Sequence, residues 1–164
     1  MCETSGKNAT AIRATSTDDA KSALVINEAY IDRLIKEVKK AKYQIRICAY
    51  AWRWYTDEPE LAIQKFNVAL LQKKLHGVKV RILCDTMAQR AIFKAHGFDV
   101  RTIERTKTLH TKAVCIDCDI LAIGSHNLTK RASLDNYEMT IFTTEFETVA
   151  QFIECFDKMW AAYA

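Results

Sequence analysis

A chain of 164 residues with 49% hydrophobic residues, one proline and four glycines can bury a core, which excludes disordered and low-complexity classes. Its net charge of +4 permits an anionic partner but is lower than that of a strongly basic nucleic-acid module. No apolar run approaches the roughly 18 residues of a membrane helix, and the N-terminus has no signal-peptide core. The sequence as given predicts a soluble, cytoplasmic protein, although a signal or anchor already removed would leave no trace.

In chain order, the sequence predicts a loose tail over 1–8 and one domain over 9–164, which begins with an edge strand at 9–17. A helical stripe starts at Asn27, a predicted cap. The elements that follow are a strand at 43–52, a helix from Asp57-Pro59 to Gly77, a strand at 78–85, a helix to Gly97 and a strand at 98–104. Strands alternating with helices indicate an α/β fold, with a mixed, largely parallel β-sheet flanked by helices on both faces.

The last third of the chain has a different pattern. Two short apolar strands, 112–116 and 120–124, predict a hairpin, and 136–144 predicts another strand. Thr144 and Glu147 have the spacing of a capping box, so the final helix is expected to begin there. The apolar stripe of that helix predicts core packing or a subunit interface.

The six cysteines predict packing rather than metal or disulfide chemistry. Cys48, Cys84 and Cys115 lie in apolar strands, where a thiol acts as a small hydrophobic group. Cys115 and Cys118 form an isolated pair, whereas a structural zinc site needs four ligands. We therefore expect no metal at these cysteines.

Segment 110–127, HTKAVCIDCDILAIGSHN, concentrates residues that suit phosphate chemistry. His110 and Lys112 are two apart in a strand and project to the same side. A two-residue turn at 118–119 would place Ser125 opposite Lys112 and Asn127 opposite His110, on one face. A three-residue turn would send Ser125 and Asn127 to the other face. If the four side chains act together, the two-residue turn is favoured.

These side chains have complementary roles. Lysine, asparagine and serine donate hydrogen bonds to phosphate oxygens, and a neighbouring histidine attacks phosphorus or moves a proton. Gly124 indicates a close approach, and Asp117, of opposite parity, is expected to hold the turn. The set describes phosphoryl chemistry in which lysine supplies the positive charge that a metal supplies elsewhere.

The spacing of these residues resembles the signature of the phospholipase D superfamily. The matching positions are His110-x-Lys112-x4-Asp117-x6-Gly124-Ser125-x-Asn127, followed by Asn136-x-Glu138. The resemblance implies a phospholipase D-like fold and metal-independent cleavage of phosphodiester bonds without a cofactor. Family members need two such motifs, and this chain carries one. It is therefore similar to the single-motif branch, small bacterial endonucleases that form homodimers with the site on the two-fold axis.

The resemblance also implies the role of each residue. His110 attacks phosphorus and forms a phosphohistidine, while the partner's His110 protonates the leaving oxygen and then activates water. Lys112 and Asn127 bind the phosphate oxygens, with support from Ser125. Glu138 orients a histidine ring, that of this chain or of the partner.

Further substrate contacts are predicted around the motif. Trp52, Arg53 and Trp54 crowd the end of a central strand, which suits base stacking or a lipid-facing rim, or else core or interface packing. His126 is expected to be structural or to touch the substrate from the rim. Four basic residues indicate either a collar for a polyanion or a solvated face: Arg105, Lys107, Lys130 and Arg131.

Three functions are consistent with these features. The first is an endonuclease that acts as a homodimer without metal. The second is a phospholipid hydrolase of the cardiolipin type, which also uses one motif per chain. The third is a catalytically silent protein that binds nucleic acid through the same site.

Overall fold

A computed structural model describes residues 21–103 and 107–163, whose strands form one seven-stranded sheet in the order β1-β7-β6-β5-β2-β3-β4. The strands are β1 (Ser22–Ile26), β2 (Gln44–Ala49), β3 (Lys79–Cys84), β4 (Asp99–Thr102), β5 (Lys112–Ile116), β6 (Ile120–Gly124) and β7 (Met139–Thr143). The helices are α1 (Ala29–Lys40), α2 (Ala62–Leu75), α3 (Met87–Ala95), α4 (Lys130–Leu134) and α5 (Phe146–Ala162).

The predicted mixed sheet is confirmed, but its parallel part is smaller than expected. Only β2–β3 and β3–β4 pair in parallel, because α2 and α3 return the chain to the same end of the sheet. The β5–β6 hairpin is antiparallel, and β5 also pairs antiparallel with β2. At the other edge, β7 pairs antiparallel with both β6 and β1.

Helices cover both faces of the sheet, as predicted. On one face, Leu34 of α1, Phe66 of α2 and Phe93 of α3 join a fully buried core with Ile47 and Ile82 of the central strands. On the other face, Phe156 and Trp160 of α5 pack with Cys48, Leu83 and Cys115. The central strands are therefore buried on both sides, which explains their nearly continuous apolar sequences.

The buried cysteines behave as packing groups. Cys48, Cys84 and Cys115 are free thiols inside the sheet. Burial raises the pKa of the Cys48 and Cys115 thiols to about 12, because the thiolate loses its hydration there. Both side chains stay neutral at physiological pH.

Several predicted boundaries shift in the structure. Gly77 (φ +87°) and Gly97 (φ +74°) follow α2 and α3 in the left-handed conformation, as expected. α2 begins at Ala62, after the Asp57-Pro59 turn. The predicted capping box at Thr144 is absent, because its hydroxyl donates instead to the carbonyl oxygen of Lys21.

Asn27 is not the cap of α1. Its backbone is left-handed (φ +50°), and Glu28 occupies the N-cap position. The Asn27 side-chain oxygen instead accepts the backbone N–H of Glu138 at 2.9 Å. The edge strand is β1; the strand predicted at 9–17 and the tail at 1–8 lie outside the described residues.

The predicted hairpin register is wrong by one residue. Ile116 pairs with Ile120, so the loop has three residues, and Lys112 lies opposite Gly124 rather than Ser125. Asp117 (φ +53°) and Cys118 (φ +63°) both adopt left-handed conformations, which the longer loop requires. Strand alternation nevertheless does not separate the motif, because β6 ends at Gly124 and the residues after it leave the strand.

Candidate active site

His110 and Lys112 meet at the entrance to β5. His110 is exposed and lies two residues before Lys112, the first residue of the strand. Lys112 Nζ lies 3.0 Å from His110 Nε2 and donates to the His110 carbonyl oxygen at 2.7 Å. A protonated amine is only a donor, so His110 Nε2 accepts this hydrogen bond through its ring electron pair. The predicted nucleophile and the predicted phosphate-binding cation are thus in direct contact.

The Lys112 ammonium lies in a partly dehydrated position. The residue is only 9% exposed, and this desolvation lowers the pKa of its amine. The charge of Glu138 acts in the opposite direction and favours the protonated form. The ring of Tyr50 also lies beneath the ammonium, with its centroid 4.9 Å from Nζ.

Gly124 and Ser125 form the opposite wall of the site. The backbone N–H of Ser125 donates to the carbonyl oxygen of Met139 at 2.9 Å, so the chain stays beside β7 after β6 has ended. A side chain at Gly124 would come closer than 3.0 Å to Met139 and Thr140. The glycine is therefore required by the neighbouring strand.

An open cleft of about 540 Å³ brings most of the motif together. Its lining is formed by His110, Thr111, Lys112, Ile123, Gly124, Ser125 and Asn127. The Asn127 side-chain oxygen has no hydrogen-bond partner among the described residues, so contacts within the chain do not occupy that oxygen. The cleft thus combines a nucleophile with several donors for a bound anion.

Glu138 is joined to the site through Ser125. The carboxylate is nearly buried, at 7% exposure, and accepts hydrogen bonds from the Ser125 hydroxyl and from Asn136 Nδ2. Its backbone is fixed by Asn27, which also accepts the N–H of Glu138. Within the described part of the chain, Glu138 orients Ser125 and makes no hydrogen bond to His110.

Asp117 lies at the far end of the hairpin from the cleft. Its carboxylate accepts backbone N–H groups of Lys42, Tyr43 and Gln44 at 2.6–2.8 Å. These bonds attach the β5–β6 loop to the start of β2. Asp117 therefore holds β5, and with it Lys112, in register with the centre of the sheet.

His126 is buried inside the chain, which favours the structural role over the substrate contact among the two roles expected for it. It is 1% exposed and stacks on Tyr30 with ring centroids 4.3 Å apart. Its Nδ1 lies 2.8 Å from the Thr140 hydroxyl and its Nε2 3.0 Å from the Asn27 carbonyl oxygen. Burial lowers the pKa of the imidazole and favours its neutral form.

The aromatic segment after β2 packs inward, which contradicts base stacking by Trp52. Trp52 is 1% exposed, and its indole N–H donates to Asn67 Oδ1 at 2.8 Å. Trp54 is half-buried and stacks on His96 with centroids 3.8 Å apart. Arg53 is exposed and remains available to a ligand. Core packing, the second interpretation of this segment, explains Trp52.

The flanking basic residues differ in their surroundings. Lys107 and Arg131 are exposed, whereas Lys130 forms an ion pair with Glu58. Arg105 lies outside the described residues. The exposure of Lys107 and Arg131 is compatible with both expectations, a collar for a polyanion and a solvated face.

Two residues of the site were not found from sequence. Tyr50 contacts both His110 and Lys112, and Asn27 supports Glu138. The segment around Tyr50 was recognisable as aromatic, but four aromatic residues lie within six positions there, and the sequence does not single out Tyr50. Asn27 is distant in sequence, and only the β1–β7 pairing brings it to the site.

Within 21–103 and 107–163, no three His, Cys, Asp or Glu side chains converge as metal ligands would. In the same ranges, no helix combines the length and the apolar character needed to cross a membrane.

Comparisons with known proteins agree with the geometry. The sequence profile of a family described as "cardiolipin synthase, PLD-like domain" matches residues 34–160. Human mitochondrial cardiolipin hydrolase is 29% identical over 142 residues, which cover 83% of this chain and 53% of that protein. The mouse protein of the same name is 28% identical over 143 residues, which cover 84% and 61%. The chain therefore spans little more than half the length of these curated relatives.

Solved structures share the fold. NucT from Helicobacter pylori superposes with a TM-score of 0.73 at 21% identity, covering 88% of this chain and 98% of that one. Nuc from Salmonella typhimurium, described as a phospholipase D family member, gives 0.71 at 21% identity, with 87% and 97% covered. At this identity the likeness concerns the arrangement of strands and helices.

Proposed function

The chain belongs to the phospholipase D-like family, and on that premise we propose that it is a metal-independent phosphodiesterase that cleaves the backbone of nucleic acids. The observation that carries the proposal is the contact of 3.0 Å between His110 Nε2 and Lys112 Nζ in an open, polar cleft. The unprotonated imidazole nitrogen can attack the phosphorus of a phosphodiester, and the neighbouring ammonium can neutralise the charge of that phosphate.

The proposed reaction has two steps. His110 Nε2 forms a bond to phosphorus while the bond to the leaving oxygen breaks, and the partner's His110 gives that oxygen its proton. The partner's His110 then takes a proton from water, and the water oxygen displaces His110 from phosphorus. Lys112 and Asn127 bind the non-bridging oxygens in both steps. The Ser125 hydroxyl is oriented by its hydrogen bond to Glu138.

A second copy of the chain is the proposed source of the second histidine. Five exposed apolar side chains on β1, β6 and β7 support this: Leu24, Ile26, Ile123, Met139 and Ile141. Register places Leu24 beside Ile141 and Ile141 beside Ile123, on the face of the sheet that α5 packs against further along. Ile123 also lines the cleft. An apolar surface that adjoins the site suits a self-complementary interface.

The residue types around the cleft support a nucleic-acid substrate. Histidine, lysine, serine, threonine and asparagine are among them, and these side chains suit phosphate and sugar groups. The net charge of +4 favours a polyanion. Exposed Lys107, Arg131 and Arg53 are available for phosphates flanking the one that is cleaved.

A phospholipid of the cardiolipin type is the second candidate, and the curated relatives favour it. At 28–29% identity, the mouse and human relatives are both described as mitochondrial cardiolipin hydrolases. A lipid phosphodiester presents the same two non-bridging oxygens to Lys112 and Asn127. A catalytically silent homologue is less well supported, because His110 and Lys112 retain the contact that catalysis needs.

The deciding experiment is a substrate panel in excess EDTA. Purified protein is incubated with single- and double-stranded DNA, RNA and vesicles containing cardiolipin. We expect cleavage of nucleic acid, and loss of turnover but not of nucleic-acid binding in His110→Ala, since Lys112 and Asn127 remain. His76→Ala, at an exposed position after α2, is the matched control.

Each other outcome assigns a different function. Vesicle hydrolysis without nucleic-acid cleavage supports the lipid candidate. Equal nucleic-acid binding by both proteins with no turnover on any substrate supports the silent homologue. Activity that disappears with EDTA contradicts the metal-independent mechanism.

A further inference from the structure

Tyr50 lies directly after β2, between the two reactive side chains. The centroid of its ring is 4.7 Å from that of His110, with the planes tilted by 57°. The same ring lies 4.9 Å from Lys112 Nζ. One half-buried aromatic ring therefore supports both members of the pair.

The backbone on either side of Tyr50 is held from two directions. Its carbonyl oxygen accepts a hydrogen bond from Gln89 Nε2 of α3 at 3.1 Å. The next carbonyl, that of Ala51, accepts the backbone N–H of Leu128 at 2.9 Å. Leu128 follows Asn127 directly, so the position of the Tyr50 ring is coupled to the phosphate-binding segment.

The Tyr50 ring stabilises a positive charge on Lys112 that desolvation disfavours. Desolvation lowers the pKa of this amine and the charge of Glu138 offsets only part of that lowering, yet only the protonated form neutralises phosphate. A carboxylate hydrogen-bonded to the ammonium would restore the charge but would compete with the substrate for the same N–H donors. An aromatic face attracts the cation through its quadrupole and leaves those donors for His110 and phosphate.

We infer that Tyr50 is a positioning residue whose ring keeps Lys112 protonated and aligns His110 for attack. The inference rests on the proposed function, because alignment matters only if His110 attacks phosphorus. The ring face carries the effect, so the phenolic hydroxyl is dispensable.

The test compares Tyr50→Phe, which keeps the ring, with Tyr50→Leu, which removes it. We expect Tyr50→Phe to follow the pH profile of kcat of the wild type on a small chromogenic phosphodiester. Tyr50→Leu should lower kcat about tenfold and move the alkaline limb down by about half to one pH unit. Tyr43→Leu, at an exposed tyrosine before β2, is the matched control and should change neither quantity. An unchanged profile in Tyr50→Leu would overturn the inference.

Two further measurements keep the test decisive. If Tyr50→Leu does not fold, pentafluorophenylalanine at position 50 is compared with phenylalanine, since full fluorination reverses the quadrupole of the ring at similar shape. Equal profiles for the two rings would contradict the inference. NMR titration of the Lys112 amine, assigned with Lys112→Met, needs no turnover. It reports a lowered pKa in Tyr50→Leu if the inference holds, and an unchanged one if it fails, even where the wild type cleaves nothing and the proposed function has failed.

Discussion

At the scale of single residues, the contact between Lys112 and His110 describes a resting state. The ammonium donates to His110 Nε2 and thereby occupies the electron pair that must attack phosphorus. A phosphate oxygen is a stronger acceptor than a neutral imidazole, because its charge strengthens the hydrogen bond. Substrate binding is therefore expected to draw the ammonium away and release the nucleophile.

Because the Lys112 ammonium is desolvated, replacing it should lower turnover without lowering the stability of the fold. We expect Lys112→Met to lower turnover at least about 10²-fold, because the developing charge on phosphate loses its cation. The free energy of unfolding should not fall at neutral pH, since the desolvated charge is removed while the aliphatic stem remains. Urea titrations of both proteins, beside the kinetic assay, measure the two effects. A strongly destabilised Lys112→Met would contradict this account.

The same site sets the sign of a pH dependence. The folded pKa of Lys112 lies below its usual 10.5, so between the two values the unfolded chain binds the proton that the folded chain has lost. In that window stability rises with pH, and in Lys112→Met this contribution to the rise should vanish.

Residue chemistry was the part most accessible from sequence. The positions of His110 and Lys112 two apart predict that they project together, and the structure brings them into contact. The substrate contacts expected at two residues failed because both side chains are buried. Trp52 and His126 carry groups that suit substrate binding, but both find hydrogen-bond partners inside the core, and a single sequence does not reveal those partners.

At the scale of elements, the loop of the β5–β6 hairpin, at the end far from the cleft, fixes the position of the strands that carry the site. Asp117 accepts three backbone N–H groups at the start of β2. Its left-handed backbone is one that aspartate and asparagine tolerate better than most residues. The loop thus fixes the register in which Lys112 enters the cleft.

Replacing Asp117 should loosen this connection in a graded way. We expect Asp117→Ala to lower the free energy of unfolding by about 1–3 kcal/mol, because three N–H groups lose their acceptor. Asp117→Asn keeps one acceptor oxygen and the left-handed preference, so its loss should be smaller. Equilibrium unfolding in urea measures both. Equal losses would show that the acceptor count does not determine the effect.

Gly124 tests the contact between β6 and β7. A methyl group there would clash with the Met139 carbonyl oxygen and with Thr140. We expect Gly124→Ala to cost about 1–3 kcal/mol in unfolding free energy by overpacking. Turnover should fall as well, because Ser125 follows directly. Gly77→Ala is a comparison without a steric clash, where only the left-handed backbone (φ +87°) opposes the change.

Element types were largely predictable, and loop lengths were not. The strands at 112–116 and 120–124 match the structure at every boundary. The error lay in the loop, whose three residues depend on the hydrogen bonds that Asp117 makes to distant residues. Such bonds leave no periodic pattern in the sequence.

At the scale of the whole molecule, one chain offers one His110 to a cleft that is open to solvent. If the reaction needs two histidines, activity depends on how chains are paired. Inactive and active chains can be mixed in known ratios by unfolding and refolding them together.

In mixtures of wild type and His110→Ala, we expect the remaining activity to be proportional to the square of the wild-type fraction. Each productive site would need two intact histidines, and random pairing supplies them with that probability. A linear dependence would contradict the shared site. Light scattering at each ratio confirms that the mass of the assembly is unchanged.

The order of the sheet was beyond the reach of sequence patterns. Alternating helices and strands predicted parallel neighbours, which is true of β2, β3 and β4. The β5, β6 and β7 strands come between β2 and β1. That insertion depends on pairing between strands distant in the chain, whereas propensity and periodicity are local.

The pairing of β1 with β7 has a consequence during synthesis. Residues 22–26 can pair only after residues 139–143 have been synthesised. Asn27 accepts the N–H of Glu138 only when both strands are in place. A nascent chain on the ribosome therefore exposes His110 and Lys112 before the Ser125–Glu138 wall exists. The cleft beside His110 and Lys112 is therefore completed only after Glu138 and β7 have been synthesised.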